Sequence, residues 1–308
     1  RRPLPSANGR PPKEKPMFTT PDLNEKVLES RAKNVAHAAP RRHPVRNAVT
    51  VLLSFLILLI LYLCAVNPNF GWSVVGQYLF DPSVMHGIGV TLSLTVVSML
   101  LGIVLGLICA VGKLSKLRFF MGLSDLYLWF FRSTPLLVQL LFWYNLSALF
   151  PVLGIPGLFA VNTNDVITPL TAAVVGLSLN EGAYMAEIIR AGLMSVDPAQ
   201  RETAEAFGMS KSQILFRVLL PQAMRAIVPP TGNQVISMIK ATAMVSIIAM
   251  DDLLYSVQAI YNQNFQIIPL LIVAVLWYLV ITSVLTFIQS RIERKFAKGE
   301  RGVVAAQA

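Results

Sequence analysis

Apolar runs long enough to cross a bilayer recur along this chain and limit what it can fold into. A helix rises about 1.5 Å per residue, so about 20 apolar residues span the hydrocarbon core. With 55% apolar and 14% charged residues, the 308-residue chain is far more apolar than ordinary soluble domains. Six runs meet the length requirement, at residues 45–66, 86–112, 133–151, 168–190, 231–250 and 267–289. The sequence therefore predicts an all-α membrane protein with about six transmembrane helices.

The basic residues alternate with these runs in a way that predicts the orientation. Of the 26 Lys and Arg residues, all except Lys240 lie in residues 1–46, in 113–132, in 190–225 or after residue 290. The intervening segments, 67–85, 151–167 and 251–266, contain none. Because cytoplasmic loops are enriched in Lys and Arg, we expect both termini in the cytoplasm. The net charge of +10 thus reports orientation, and nothing supports a nucleic-acid partner.

The chain begins with a basic, proline-rich stretch that has no apolar periodicity. Residues 1–44 are therefore predicted to form a disordered cytoplasmic tail. Such a tail can lie against anionic lipid headgroups, or it can serve only as a topology signal. Residues 45–66 follow as an extra N-terminal span, and residues 297–308 form a second cytoplasmic tail.

A polar stretch, residues 191–222, stands between two apolar runs and predicts a shaped loop. Asp197 can cap a helix that starts at Pro198, because the fixed φ of proline suits the first helical position. Gln200 stands where a capping-box partner would reach back to the cap. Gly208 is the natural left-handed terminator of this short helix.

A second helix is predicted directly after this glycine. Ser210 and Gln213 repeat the S-x-x-Q pattern of a helix start. An apolar run then leads to Leu220, and Pro221 stops or bends the helix. The predicted loop thus consists of a helix, a glycine corner, a second helix and a proline.

This loop resembles the EAA loop (E-A-A-x3-G-x9-I-x-L-P) of bacterial ABC-type import permeases. The positions that carry the resemblance are Glu202, Thr203, Ala204, Gly208, Val218, Leu220 and Pro221. Thr203 and Val218 replace the usual alanine and isoleucine. The resemblance implies that residues 191–222 are a cytoplasmic coupling loop that docks in a cleft of a separate ATPase subunit. That subunit would hold ATP and Mg²⁺, and this chain would carry no cofactor of its own.

A second signature is similar to one found in the polar amino-acid branch of these permeases. Residues 131–139, FRSTPLLVQ, resemble F-R-G-T-P-L-L-V-Q, with serine in place of the glycine. The matching positions include Arg132, Thr134, Pro135 and Gln139. Arg132 can anchor the chain at the membrane interface or contact a neighbouring subunit, and both interpretations stay open.

The fourth apolar run carries the stretch NEGAYMAE, which is similar to N-E-x-A-Y-x-A-E of the same branch. Asn180, Tyr184 and Glu187 recur at helical spacing and share a stripe, with Glu181 beside it. Carboxylates inside a membrane are costly and usually face the bundle interior or a water-filled path. These residues are therefore candidates for a translocation path or an intramembrane polar network.

The fifth run adds a polar stripe of its own. Asn233, Ser237 and Lys240 follow the helical repeat on an otherwise apolar helix. Lys240 and Glu181 each lie nine residues from the cytoplasmic end of their run, about 13 Å deep by helix rise. Since either charge alone is expensive at that depth, we hypothesise that they pair directly or through water. Two separate polar contacts are the alternative.

The resemblance covers residues 86–296, the five-span core of such permeases. It implies the membrane subunit of an ATP-driven importer that moves a polar amino acid across the bacterial cytoplasmic membrane by alternating access. The expected partners are an ATPase dimer, an external solute-binding protein, membrane lipid and a second permease, identical or related. An ion-gradient-driven secondary transporter is the alternative.

The three histidines and two cysteines form no catalytic or metal-ligating pattern, so an enzyme is not expected. The amino acid carried stays open.

Overall fold

The computed structural model describes residues 27–29, 44–115, 117–155 and 159–297. The predictions for the two tails lie almost wholly outside these residues. The chain divides into two compact units, residues 1–66 and 67–308.

The first unit contains one long helix, α1 (Pro44–Val66). Its residues from Val45 onward are long and apolar enough to cross a membrane, as the sequence predicts. Apart from Cys64, the side chains of this stretch are exposed. A helix that is apolar on every side fits a lipid environment better than water.

The second unit is built mainly from helices. They are α2 (Trp72–Tyr78), α3 (Pro82–Lys113), α4 (Arg118–Ser133), α5 (Leu136–Tyr144), α6 (Thr163–Val166), α7 (Pro169–Met194), α8 (Pro198–Ala206), α9 (Lys211–Gln213), α10 (Leu220–Thr242), α11 (Leu253–Asn264) and α12 (Ile267–Ala297). Shorter 3-10 helices are Pro68–Phe70, Leu146–Ala148 and Ala243–Ile248, and Ile214–Leu219 is π-helical. The predicted helical fold class is confirmed.

Helix starts are fixed by the side chains that the sequence places there. The side chain of Asp81 accepts a hydrogen bond from the backbone N–H of Ser83 at the start of α3. Thr168 and Thr171 form a reciprocal capping box at the start of α7. Both helices have proline in the first turn, where its missing N–H costs nothing.

Helices α3 and α7 pack closely because glycines lie at their contact. A Cβ on Gly106 would stand 2.6 Å from Cβ of Met185 and 2.9 Å from the backbone nitrogen of Ala186. A Cβ on Gly102 would stand 2.8 Å from Cγ of Glu181. The small residues of the second apolar run therefore allow the backbones of α3 and α7 to approach closely, as small residues do in membrane helix bundles.

The described helices do not confirm the count of six spans. By length and composition, α1, α3 and α12 can cross a membrane. A fourth span results if Lys211–Ile248 and Leu253–Asn264, which meet at a 44° bend, count as one. Helix α7 has 26 residues, enough for a bilayer, but its ionisable side chains lower its hydropathy. Six spans therefore stay a prediction.

The predicted third span, 133–151, is not one helix. Helix α4 ends at Ser133, and Thr134 is extended at φ −108° and ψ 142°. Residues that precede proline avoid the helical region, and Pro135 accounts for this break. Helix α5 then has nine residues, about 13.5 Å by helix rise, which is less than half the thickness of the hydrocarbon core.

A β-hairpin follows where the sequence predicts only a connecting segment. Strand β1 (Val152–Ile155) pairs antiparallel with β2 (Phe159–Asn162), with Val152 opposite Asn162. The side chain of Thr163 donates to the carbonyl of Phe150 and closes the base of the hairpin.

The fifth predicted run starts earlier in the structure than in the sequence analysis. Helix α10 begins at Leu220 and contains Pro229 and Pro230, whereas the prediction began the span after them, at Thr231. It ends at Thr242 and passes into a 3-10 helix.

Candidate functional site

The first helix of the predicted coupling loop, residues 191–222, forms as expected. Helix α8 starts at Pro198, and Oδ1 of Asp197 accepts from the backbone N–H of Ala199 at 2.9 Å. The predicted capping-box role of Gln200 is wrong. Its side-chain oxygen lies instead 3.5 Å from Nε2 of Gln222, so the residue contacts the start of α10.

Gly208 ends this helix in a left-handed conformation, with φ at 73°. The N–H of Met209 donates to the carbonyl of Ala204 at 3.1 Å, and that of Gly208 donates to the carbonyl of Glu205 at 2.9 Å. This pair of bonds is the Schellman arrangement, which satisfies the last carbonyls of a helix. The predicted glycine corner is confirmed.

The second helix of the loop starts as predicted but does not stop. Ser210 and Gln213 form a reciprocal capping box. The chain then passes through the π-helical segment into α10, with Pro221 in the first turn of α10. Because the N–H of Leu220 donates to the carbonyl of Leu215, five residues back, the register has already shifted before the proline. The expectation that Pro221 ends the helix is wrong, because the helical segment continues without interruption into α10.

The corner of the loop exposes a large apolar side chain that the sequence analysis did not single out. Phe207, directly before the terminating glycine, is 83% exposed, whereas Ala204 is 5% exposed and packs inward. Glu202 and Thr203 of the EAA pattern are exposed as well. An exposed aromatic residue on a capped, rigid corner is typical of an interface anchor. Its position between the EAA triplet and the glycine was the available signal.

The two amino-acid-permease signatures meet in the structure. The buried amide of Gln139 donates to Oγ1 of Thr134 at 2.7 Å and to the carbonyl of Phe131 at 3.1 Å. The side chain of Asn180 on α7 donates to that same carbonyl at 3.0 Å and to Oε1 of Gln139 at 3.2 Å. These bonds hold the break at Pro135 against the middle of α7.

Arg132 lies over the ring of Tyr184, with its guanidinium carbon 5.7 Å from the ring centroid. This cation–π contact joins the end of α4 to α7. Arg132 is exposed, and it forms no ion pair with any described residue. Asp125 and Arg132 line the same cavity of about 480 Å³.

Glu187 lies in a network of structural charges. Its carboxylate is 3.1 Å from Nζ of Lys113 and 2.7 Å from Arg190. Lys113 also pairs with Asp125 at 3.2 Å, so the network joins α3, α4 and α7. The carboxylate of Glu187 is thus paired with two cationic groups.

Glu181 differs from Glu187 because no cationic side chain among the described residues pairs with it. It is 5% exposed, and its Oε1 has no hydrogen-bond partner among the described residues. The carboxyl group faces a cavity of about 270 Å³ between α7 and α10, and Gln234 of α10 contacts it. The other residues that line this cavity are Leu136, Leu177, Asn180, Tyr184, Ser237, Met238 and Ala241.

The hypothesised direct pair of Glu181 with Lys240 does not form. Lys240 is exposed, and no described carboxylate lies within 4.0 Å of its amine. The sequence predicted only how deep each residue lies along its helix. Whether Glu181 and Lys240 pair also depends on which face of α10 is turned toward α7. That face carries Gln234 and Ser237.

The predicted stripe on α10 is exposed in this chain. Asn233, Ser237 and Lys240 are exposed on α10, and Met244, in the 3-10 helix that follows, is exposed as well. Only Ser237 of the four also lines the cavity at Glu181. The structure therefore brings together Asn180, Glu181, Tyr184 and Ser237, and it leaves Asn233 and Lys240 outside that group.

Comparison with known proteins places these features in a family. The family described as "Binding-protein-dependent transport system inner membrane component" matches residues 102–298. An arginine transport system permease protein of Corynebacterium glutamicum is 40% identical over 290 residues, which are 93% of this chain and 91% of that protein. An arginine transport system permease protein of Bacillus subtilis is 35% identical over 219 residues, 71% of this chain and 94% of that protein.

A solved structure agrees with these relatives. The crystal structure of an amino acid ABC transporter with histidines superposes with a TM-score of 0.62 at 34% identity, and the match covers 71% of this chain and 97% of that one. The Corynebacterium match leaves so little of the chain out that it must include α1. The residues of α1 thus have counterparts in the sequence of at least one relative.

Proposed function

Because the chain belongs to the family of inner membrane components of binding-protein-dependent transport systems, we propose that it is the permease subunit of an ATP-driven importer for a cationic amino acid. Its ATP-binding partner is a separate subunit, and an external solute-binding protein delivers the substrate. Both termini and the coupling loop lie in the cytoplasm, in keeping with the distribution of Lys and Arg. The family match and the names of the relatives support this proposal.

The observation that carries the substrate class is the buried carboxyl group of Glu181. An unpaired carboxylate in a membrane bundle is costly, so a functional partner is expected to complete it. The cavity that it faces is lined by amide and hydroxyl groups that can orient an amino acid. A substrate ammonium or guanidinium group would supply the missing charge, and Asn180, Tyr184 and Ser237 would surround it.

The exposed stripe on α10 supports a second permease subunit, identical or related. Asn233 and Lys240 are costly in contact with lipid, and they are not covered by their own chain. A path between two permeases would place them in water or against the second subunit. Transport then follows from two states of the pair, one open outward and one open inward, which the ATPase biases through the coupling loop.

The coupling loop meets the ATPase at its rigid corner. Phe207 inserts into the cleft of the ATPase, while the caps at Asp197 and Ser210 and the turn at Gly208 keep the loop in one shape. A rigid loop transmits displacement better than a flexible one, since little of the motion is lost in local rearrangement.

Uptake into vesicles tests this function. Vesicles carrying the full chain with its ATPase and binding protein are supplied with labelled arginine, lysine, glutamine or glutamate, with and without ATP. Uptake of arginine or lysine that requires ATP and survives a proton and sodium uncoupler is expected. Uptake that does not depend on ATP and is abolished by the uncoupler would contradict the proposal and favour a secondary transporter.

A pair of carboxylate variants tests the substrate site. Glu181→Gln keeps the shape of the side chain and is expected to abolish the preference for cationic substrates. Glu187→Gln is the matched control, because it removes a carboxylate on the same helix that Lys113 and Arg190 already neutralise. It is expected to lower stability and leave the substrate preference unchanged. Equal loss of preference in both variants would contradict the role of Glu181.

A further inference from the structure

Helix α10 contains a weak point between the coupling loop and the exposed polar stripe. Pro229 and Pro230 lie inside the helix, and neither has an N–H to donate. The carbonyls of Arg225 and Ala226, four residues earlier, therefore lose their helical donors. A helix with two missing hydrogen bonds in succession bends more easily there than elsewhere.

The side chain of Gln289 from α12 is seated on this weak point. It is 6% exposed, and its Nε2 donates to the carbonyl of Pro229 at 2.7 Å and to Oε1 of Glu293 at 3.0 Å. A Cβ at Gly232, one turn after the prolines, would collide with the amide of Gln289. The glycine thus leaves room for an amide that bonds the neighbouring helix at its two prolines.

A cavity of about 390 Å³ lies on the same side of α10. Almost all of its lining is apolar, and it includes Met224 and Val228 before the prolines, Gly232 after them, and Gln289 and Ile292 on α12. An unfilled apolar volume beside the two prolines gives the part of α10 that precedes them space to move without first displacing packed side chains.

We propose that Gln289 is a positioning residue that locks the hinge at Pro229 and Pro230. This inference rests on the proposed function, in which the coupling loop is moved by the ATPase. With the amide in place, the segment from Ser210 to Thr242 moves as one body and carries motion of the loop into the membrane. Without it, the hinge absorbs the motion, and ATP hydrolysis proceeds with less transport.

Two variants disturb the contact between Gln289 and α10, one on each helix. Gln289→Met keeps the length of the side chain but cannot donate to the carbonyl of Pro229. Gly232→Ala leaves the amide intact and displaces it by the collision described above. Ser290→Ala is the control, because Ser290 is half-buried on the same helix and its hydroxyl donates only to the carbonyl of Thr286.

The first readout is the amount of substrate transported per ATP hydrolysed, in vesicles with the complete transporter. One net hydrogen bond shifts a two-state equilibrium by roughly fivefold. We expect this ratio to fall by about that factor in both lock variants, with hydrolysis itself retained, and to stay unchanged in the control. A ratio within about twofold of the wild type in Gln289→Met or in Gly232→Ala would overturn the proposal.

The second readout does not depend on transport. Spin labels at Arg217 and Asn233, both exposed, stand on either side of the hinge, about 24 Å apart by helix rise. Gln289→Met is expected to broaden the distribution of distances between them, and an unchanged distribution would overturn the lock. If the wild type shows no ATP-dependent uptake, the proposed function fails, while this measurement still decides whether Gln289 restrains the hinge.

Discussion

The side chain of Asn180 donates a hydrogen bond of 3.2 Å to Oε1 of Gln139, 41 residues earlier in the chain. Each residue belongs to a different stretch that resembles amino-acid permeases, and both bond the carbonyl of Phe131. The bond therefore secures a helix break that proline creates, at a place where an unsatisfied carbonyl would otherwise be costly. The cavity at Glu181 begins directly beside it, since Asn180 lines that cavity.

Because Asn180 and Gln139 act as one unit, their substitutions are expected to be non-additive. Asn180→Ala and Gln139→Ala should each lower stability, and the double variant should lose less than their sum, with a coupling of about 0.5–3 kcal/mol. Thermal unfolding of the four proteins in detergent measures this difference. Asn145→Ala combined with Gln139→Ala is the control, since Asn145 bonds only the carbonyl of Leu141 on its own helix. Simple additivity for Asn180 and Gln139 would contradict the link.

Gly208 is expected to be required for its backbone conformation and not for space. A Cβ there would meet nothing within 4 Å, but φ is 73°, which costs an alanine about 1–2 kcal/mol. Gly208→Ala should therefore speed hydrogen exchange at the amides of Gly208 and Met209, whose bonds close the corner, by roughly 5- to 30-fold. Gly122→Ala is the matched control, because Gly122 also has open space around it but lies within α4. An equal effect in both would rule out strain as the cause.

The parts of the molecule that sequence reasoning predicted well are those fixed within a few residues. The cap at Asp197, the box at Ser210 and the corner at Gly208 depend on local hydrogen bonds, and all three form. Gln200 is an exception even within this loop. Its side-chain oxygen accepts a hydrogen bond from Gln222, 22 residues later, and does not form the predicted capping box. Local patterns predict local bonds only where no distant partner competes.

Features that depend on the rotation of one helix against another could not be predicted in this way. The sequence predicted equal depth for Lys240 and Glu181, yet α10 begins well before the predicted run, Lys240 is on its exposed face and Gln234 contacts the carboxyl. The interrupted third run was missed for a different reason. Its composition is continuous and apolar, and only the restriction that Pro135 places on Thr134 reveals the break.

Gly106 is expected to be required for space. Its missing Cβ would meet Cβ of Met185 and the backbone of Ala186, so α3 and α7 must separate to admit one methyl group. Gly106→Ala should destabilise the fold by about 1–3 kcal/mol, although alanine favours helix formation. Gly89→Ala on the same helix has open space and should be neutral or stabilising. The unfolding temperatures of the two variants in detergent distinguish packing from helix propensity, and a stable Gly106→Ala protein would show that the helices are less tightly packed than described.

Phe207 is expected to anchor the coupling loop in the ATPase. It is 83% exposed at a corner that capping bonds hold rigid, so little conformational entropy is lost when it is buried in a cleft. Removal of a central aromatic anchor typically costs at least about 2 kcal/mol, roughly 30-fold in Kd. Phe207→Ala should weaken binding of the ATPase to that extent, measured by titration of the ATPase onto the chain in lipid nanodiscs. Phe119→Ala removes an aromatic that is 75% exposed on α4 and should leave the Kd unchanged. Equal affinities for Phe207→Ala and the wild type would mean that the ATPase grips the loop through its polar EAA face, at Glu202 and Thr203.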